Sequence, residues 1–411
     1  MKGKTNAVLP TSTPSSDFKF TMLFDADNFI NDPDNCLVYS DGCRDYTPVS
    51  GPGADTTVAG CSIIGSWEMN ADGTSSNPLL EKCFYATFTD AGVLHQKLNP
   101  QDLSQYIATW DNSSKKWVTA SGTSSITTEN TMFCIPTLYV SSTSASISLS
   151  SKSSEGTAFG HTIDGHVYEY MAIAVYPGSV SDGKLRSFSE VASVQSGNYA
   201  NYTSQCAKNI VEKGHALLCN WYQWQLFRLI VIFTIRHFDS QGKIGYGNTF
   251  LAKHGGKNAM GVFAGSVSGS GAGVKAYIED PWAHFHQMIG DVYYTDGNVY
   301  VFQTSSQNPT STEGGVCLTQ EPYLLFTTDS GYPETVSDID ITWGCGLSQR
   351  ESGDTVGTFD YWGFNLNETN NRVGVGGVFN DASFYSGISR VRACKDNQQY
   401  LTARLTYVFD L

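Results

Sequence analysis

The sequence predicts an α+β chain in which strands far outweigh helices, and three observations carry that reading. Turn signals are dense, with Asp32-Pro33, Asp41-Gly42, Ser50-Gly51-Pro52-Gly53, Asp72-Gly73 and Ala91-Gly92 in the first part of the chain alone. Several runs between turns alternate apolar and polar residues with period two. Helical periodicity is confined to residues 199–237.

In chain order, residues 1–17 are small and polar with Pro10 and Pro14, and read as an attachment arm that orders only where a partner pins it. Residues 18–130 read as a β-rich connector domain. Phe18–Phe24 and Phe84–Phe88 alternate, and Trp110–Val118 reads as two strands around a polar turn. Residues 131–411 form the second domain, opening with strands at Met132–Val140, Ser144–Leu149 and His166–Tyr176. Tyr199–Glu212 is amphipathic and stops at Gly214. Asn220 then caps a helix over Trp221–His237 that is apolar nearly all round, the mark of a helix at the centre of a domain. Residues 242–273 are Gly-rich loops or tight hairpins. Val274–Ile278, Asp291–Phe302 (with an Asp296-Gly297 hairpin turn), Arg372–Val375 and Leu401–Phe409 complete the strands.

Composition excludes several classes. Of 411 residues, 25 are Lys or Arg and 39 are Asp or Glu, giving a formal net charge of −14. Charged residues make up 16%, against about 25% in ordinary globular chains, and aromatics make up 13%. So aromatic a chain is not disordered. So acidic a chain lacks the clustered Lys and Arg that a nucleic-acid partner needs. The most apolar run, Leu226–Ile235, has ten residues and contains Arg228, whereas a bilayer needs about 20, so membrane insertion is not expected. Met1–Phe20 lacks the apolar core of a secretory signal. No two of the ten cysteines have CxxC spacing, which leaves zinc ribbons and redox motifs unsupported and makes buried, reduced thiols the expectation.

The chemical motifs are sparse. No Gly-rich stretch sits between a strand and a helix with a Lys-Ser or Lys-Thr behind it, so a phosphate loop is not expected. His284 and His286 could pair on a metal, but no carboxylate or cysteine stands at a diagnostic spacing, and packing beside Trp282 explains them as well. Glu279-Asp280 and Asp338/Asp340 are the acid pairs a glycosidase would need. Acid pairs are common in so acidic a chain, and no cofactor is expected. A structural Ca²⁺ is the one ion the loop composition suits. His161 and His166 flank an Asp164-Gly165 turn and read as exposed.

Six blocks in the second half, taken in order, resemble a known family. They are Ile135–Val140 (IPTLYV), Val175–Leu185 (VYPGSVSDGKL), Trp221–Gly247, Ala276–Gly290 (AYIEDPWAHFHQMIG), Arg372–Gly377 (RVGVGG) with Phe379, and Ala403-Arg404-Leu405. The family comprises phage and bacterial surface proteins with a C-type lectin-like fold of the formylglycine-generating-enzyme type. It includes the variable proteins of diversity-generating retroelements and phage tropism determinants. Phe379 stands where the family has Trp, Thr402 where it has Gly, and His284 and His286 where it has Asn and Trp. The resemblance implies a C-type lectin-like C-terminal domain behind a β-rich N-terminal region. It carries over no catalysis, because the thiol and copper chemistry of the sulfatase-activating relative has no matching cysteine pair here.

In that family the segment between the Gly-Gly lead and the final Arg is displayed and contacts the receptor. Here it reads VFNDASFYSGISRVRACKDNQQYLTA and holds Asn380, Asp381, Ser383, Phe384, Tyr385, Arg390, Arg392, Lys395, Asn397, Gln398 and Tyr400 as candidate ligand-binding residues. Tyr and Arg dominate binding hot spots, and small polar residues supply adaptable hydrogen bonds. Alternation along a strand sends only some of these toward a ligand. The expectation is therefore a non-enzymatic, virion-associated protein. It would bind a host-cell surface glycan or protein, attach to other virion proteins through its arm, and assemble as a homotrimer. The alternative is a purely structural virion protein, for capsid decoration or tail assembly, with this segment in a subunit interface.

Overall fold

The computed structural model describes residues 17–24, 37–39, 47–48, 62–63, 67–143, 146–195, 197–235, 237, 240–245, 247, 253–265, 273–295, 298–307, 309–317, 330–331, 333–336, 347–349, 362–363, 372–377, 388–389, 391–394 and 400–411. Apart from Asp17, the expected arm 1–17 lies outside them.

An eight-stranded antiparallel sheet is the frame. Its order is Gly214–Leu218, Leu405–Phe409, Tyr170–Ala174, Asn130–Pro136, Phe84–Phe88, Leu94–Asn99, Asp102–Asp111 and Lys116–Thr123. Both faces of its central strands are buried, whereas Lys116–Thr123 at one edge is not, and the period-two rule sorts the central side chains between the faces. Phe84, Ala86, Phe88, Met132, Cys134, Ala172, Ala174, Tyr407 and Phe409 face one core, where Tyr199, Tyr202 and Cys206 of the helix Tyr199–Ala207 meet them. Tyr85, Phe133, Ile135, Met171, Ile173 and Val408 face the other, which the helix Trp221–Ile235 fills. The chain is thus α+β with the sheets dominant. The boundary expected at residues 130/131 falls inside this sheet, because the strand Asn130–Pro136 pairs with Phe84–Phe88 on one side and Tyr170–Ala174 on the other.

All fifteen residues of the central helix are buried, as its all-round apolar sequence requires. Its start is a reciprocal cap: Gln223 N–H donates to Asn220 Oδ1 (2.9 Å), and Gln223 Oε1 accepts from Asn220 N–H (3.1 Å). Thr406 Oγ1 donates to that same Gln223 Oε1 (2.7 Å), tying the helix to the last strand. No helix among the described residues is long and apolar enough to cross a membrane.

Several expected elements differ. Tyr199–Glu212 is helical only to Ala207, and Gly214–Leu218 is an edge strand. Met132–Val140 divides into Asn130–Pro136 and Tyr139–Thr143, the second of which joins a sheet with Ser146–Ser150 and Lys19–Phe24. Leu401–Phe409 breaks at Ala403-Arg404, with each part in a different sheet. His161 is buried rather than exposed, because its turn lies under the central helix: a Cβ at Gly160 would come within 2.7 Å of Leu226. Burial pushes the His161 imidazole down to about 4, and Nε2 lies 3.2 Å from the Ile135 carbonyl. Cys83, Cys134, Cys206 and Cys219 are buried free thiols, Cys394 is buried and Cys317 is half-buried.

Candidate functional site

A second, mixed sheet carries the stem of the terminal segment. Its order is Ser330–Gly331, Trp362–Gly363, Val391–Cys394, Arg372–Val375, His286–Met288 and Leu401–Thr402. Arg372–Val375 and Val391–Cys394 pair antiparallel, with Val375 opposite Val391. The short strand His286–Met288 holds both ends of the segment. Gln287 faces Val375 antiparallel on one side and Thr402 parallel on the other. Val375 and Leu401 thus flank that strand, about 10 Å or two strand spacings apart, and Val391–Cys394 lies in the same sheet on the far side of Arg372–Val375.

The lead out of the sheet needs glycine. Gly376 has φ +84°, and a Cβ there would come within 2.6 Å of the Pro281 carbonyl. Its own carbonyl accepts from Ala283 N–H (2.9 Å). Ile388 N–H donates to Ser240 Oγ (2.9 Å), and Arg228 Nε of the central helix donates to Ser389 Oγ (2.9 Å). At the return, Tyr400 is half-buried with φ 68°. Its carbonyl accepts from His286 N–H (3.0 Å), and its ring is stacked parallel to Phe285 at 6.1 Å.

Arg404 locks this stem to the main sheet. It is fully buried. Nη1 donates to the carbonyls of Ala174 (2.7 Å) and Val175 (3.2 Å), and Nη2 to those of Glu279 (2.9 Å) and Asp280 (3.2 Å). Nε donates to Gln287 Oε1 (2.6 Å), and Gln287 Nε2 donates onward to the Pro281 carbonyl (2.7 Å). Burial pushes the guanidinium down to about 10, still charged at neutral pH. One side chain thus joins the last strand, the strand Tyr170–Ala174, the 279–281 turn and the strand that holds both ends of the segment.

Beside it lies a buried ionisable cluster. Glu279 Oε1 and Oε2 lie 3.0 and 2.8 Å from Gly255 N–H, and Asp280 Oδ1 accepts from Val274 N–H (3.1 Å). His254 Nδ1 lies 3.3 Å from Asp280 Oδ2 and 4.0 Å from Glu279 Oε1. The His254 and His284 rings meet edge to face at 4.8 Å, and His284 Nε2 is 2.6 Å from Ser193 Oγ. Burial, with the neighbouring Asp280 charge, pushes Glu279 up to about 7. Burial would also raise Asp280, but its contact with His254, the charge of His284 and the Val274 amide outweigh that and hold its carboxyl low. Burial pushes Lys275 down to about 8.

Of the residues expected to bind, Tyr400 is placed at the stem and Arg392 is placed as backbone, opposite Gly374. Asn380, Asp381, Ser383, Phe384, Tyr385, Arg390, Lys395, Asn397 and Gln398 lie outside the described residues, as do Asp338 and Asp340. His284 turns to Ser193 and His254, whereas the His286 Cβ sits against Gly374. His254 had no signal in the sequence, since a histidine in a Lys-His-Gly-Gly loop looks solvent-facing. No family model matches the chain, and no curated protein matches it.

Proposed function

We propose that this chain is a non-enzymatic, virion-associated receptor-binding protein whose second half is a C-type lectin-like scaffold displaying residues 378–400 to a host-cell surface glycan or protein. The carrying observation is the stem. Both ends of the segment are ladder-paired to the single strand His286–Met288, and Arg404 fixes that strand's Gln287 to the main sheet. Apart from Ile388, Ser389 and the strand Val391–Cys394, which the core and the sheet hold, a segment anchored this way can vary in sequence, because its register is set by backbone pairing and buried glycines. The order of the blocks, the buried Arg404 that closes them and the all-buried central helix support the lectin-like reading. Weak contacts per copy, about 2 kcal/mol for each aromatic or Arg anchor, become firm attachment when several copies engage together, as a homotrimer on a particle would allow.

The test is adsorption. Particles carrying Phe384→Ala, Tyr385→Ala and Arg390→Ala together should lose host adsorption by more than tenfold while the protein keeps its far-UV circular dichroism. Unchanged adsorption refutes the assignment of the segment. A particle reconstruction that buries these three residues at a subunit contact would favour a purely structural role.

A further inference from the structure

The Glu279-Asp280 pair has no Lys or Arg hydrogen-bonded to either carboxylate among the described residues. Two adjacent carboxylates, 5% and 3% exposed, face His254, which is 1% exposed and has the His284 ring packed against it. The fixed cations nearby are directed elsewhere. Lys275 Nζ donates to the Lys257 carbonyl (3.0 Å), and the Arg404 guanidinium bonds backbone carbonyls rather than either carboxylate. His254 Nδ1 faces both acids but makes an aligned hydrogen bond to neither, and Nε2 makes none among the described residues. One ligand atom from each of the three side chains fits within 4.8 Å of the others. A tetrahedral ion with bonds of about 2.0–2.1 Å spaces its ligands about 3.3 Å apart. The 3.3 Å separation of Nδ1 and Asp280 Oδ2 has that spacing, and the 4.0 Å to Glu279 Oε1 needs only a small side-chain shift.

We propose that His254, Glu279 and Asp280 bind one divalent transition-metal ion of the Zn²⁺ class through His254 Nδ1, Asp280 Oδ2 and one Glu279 oxygen. An imidazole with two carboxylates suits Zn²⁺ better than Ca²⁺, which prefers six or more oxygens. The role is a staple. His254 belongs to the segment 253–265, whereas Glu279 and Asp280 open the turn that receives Gly376 and Arg404. The ion would fasten that segment to the base of the displayed loop. The fourth tetrahedral position falls to the second Glu279 oxygen or to one enclosed water.

The full chain, stripped with chelator, is titrated with Zn²⁺ by calorimetry and then loaded with Co²⁺ for visible spectroscopy. One equivalent of Zn²⁺ should bind and raise the melting temperature. Affinity should fall at least 100-fold in His254→Ala and in Asp280→Asn. Co²⁺ should give the spectrum of a nitrogen–oxygen site without a thiolate charge-transfer band. Zn²⁺ binding equal in wild type and His254→Ala, or a Co²⁺ spectrum showing thiolate ligation by the chain's cysteines, overturns the proposal. Should either variant fail to fold, the Co²⁺ spectrum of the unaltered protein decides by itself. A thiolate band or the spectrum of aqueous Co²⁺ counts against the site, and a nitrogen–oxygen ligand field counts for it.

Discussion

Replacing Arg404 with Met should cost the protein about 3–5 kcal/mol. The substitution keeps the length of the side chain and most of its packing, and removes the charge. It also removes every donor to the carbonyls of Ala174, Val175, Glu279 and Asp280 and to Gln287 Oε1. Val175 O keeps a second donor, Glu279 N–H at 2.8 Å, and Asp280 O keeps Gln287 Nε2 at 3.4 Å, so not all five acceptors are orphaned. Each buried acceptor left bare costs about 1–3 kcal/mol. Relief from burying a guanidinium offsets part of this. The balance falls in the range of about 3–5 kcal/mol found when one partner of a buried charged network is removed. Typical stabilities of about 5–15 kcal/mol would survive it, with a melting point lowered by about 4–6 °C in a chain of 411 residues. Urea unfolding followed by tryptophan fluorescence reads the change, with Trp282 as a probe within the affected turn. An unchanged m-value would show that the native state stayed compact. Arg404→Lys should fall between, because an ammonium keeps the charge but cannot reach both carbonyl pairs at once. A loss below about 1 kcal/mol in Arg404→Met would refute the idea that this side chain locks the loop stem to the main sheet.

Two further outcomes follow from the same geometry. Gly376→Ala forces a side chain into φ +84° and against the Pro281 carbonyl, so thermal unfolding should show a loss of about 2–4 kcal/mol, and a loss below about 0.5 kcal/mol would contradict the close approach. Burial raises Asp291 from 3.8 to about 6. Between those pH values the folded chain holds a proton that the unfolded chain has released, so this group's stabilisation is present below about pH 4 and is lost as pH rises through 6. The span is worth about 3 kcal/mol at 1.36 kcal/mol per unit. Asp291→Asn should flatten that dependence in urea unfolding at pH 5 and pH 8, and should be no less stable than the parent at pH 8, since Asn tolerates the φ of 61° and can still bond Thr304.

The parts of this architecture that were legible in the sequence are the local ones. Asn220 announced the start of the central helix because capping is read within one turn. Phe84–Phe88 announced a strand because its alternation serves two cores at once. The Asp291–Phe302 hairpin was visible in its Asp296-Gly297 turn signal, which is equally local. What was not legible depends on distant partners. The run Leu401–Phe409 is continuous in sequence, but Leu401-Thr402 pairs beside His286 and Leu405–Phe409 lies between Tyr170–Ala174 and Gly214–Leu218. Sheet membership of that kind is decided by contacts more than a hundred residues away. The same holds for the boundary near residue 130, which no composition shift contradicts and strand pairing crosses. His161 beside Asp164-Gly165 looked like turn surface, and only the helix lying over it makes it core. In the stem, the resemblance pointed to Gly376, Gly377 and Arg404, whereas the meeting of His254 with Glu279 and Asp280 had no sequence signal, since spacing in the chain says nothing of a contact between two loops.

The central claim is that residues 378–400 are displayed from a rigid base and meet the host surface. Amide hydrogen exchange of the full chain, alone and with isolated host-cell envelope, tests it directly. Protection on binding should fall on peptides covering 378–400, while peptides covering 84–88, 130–136 and 221–235, which lie in buried strands and helix, should not change. Protection that falls on the main sheet or the Gly-rich loops instead, with 378–400 unaffected, would contradict the account.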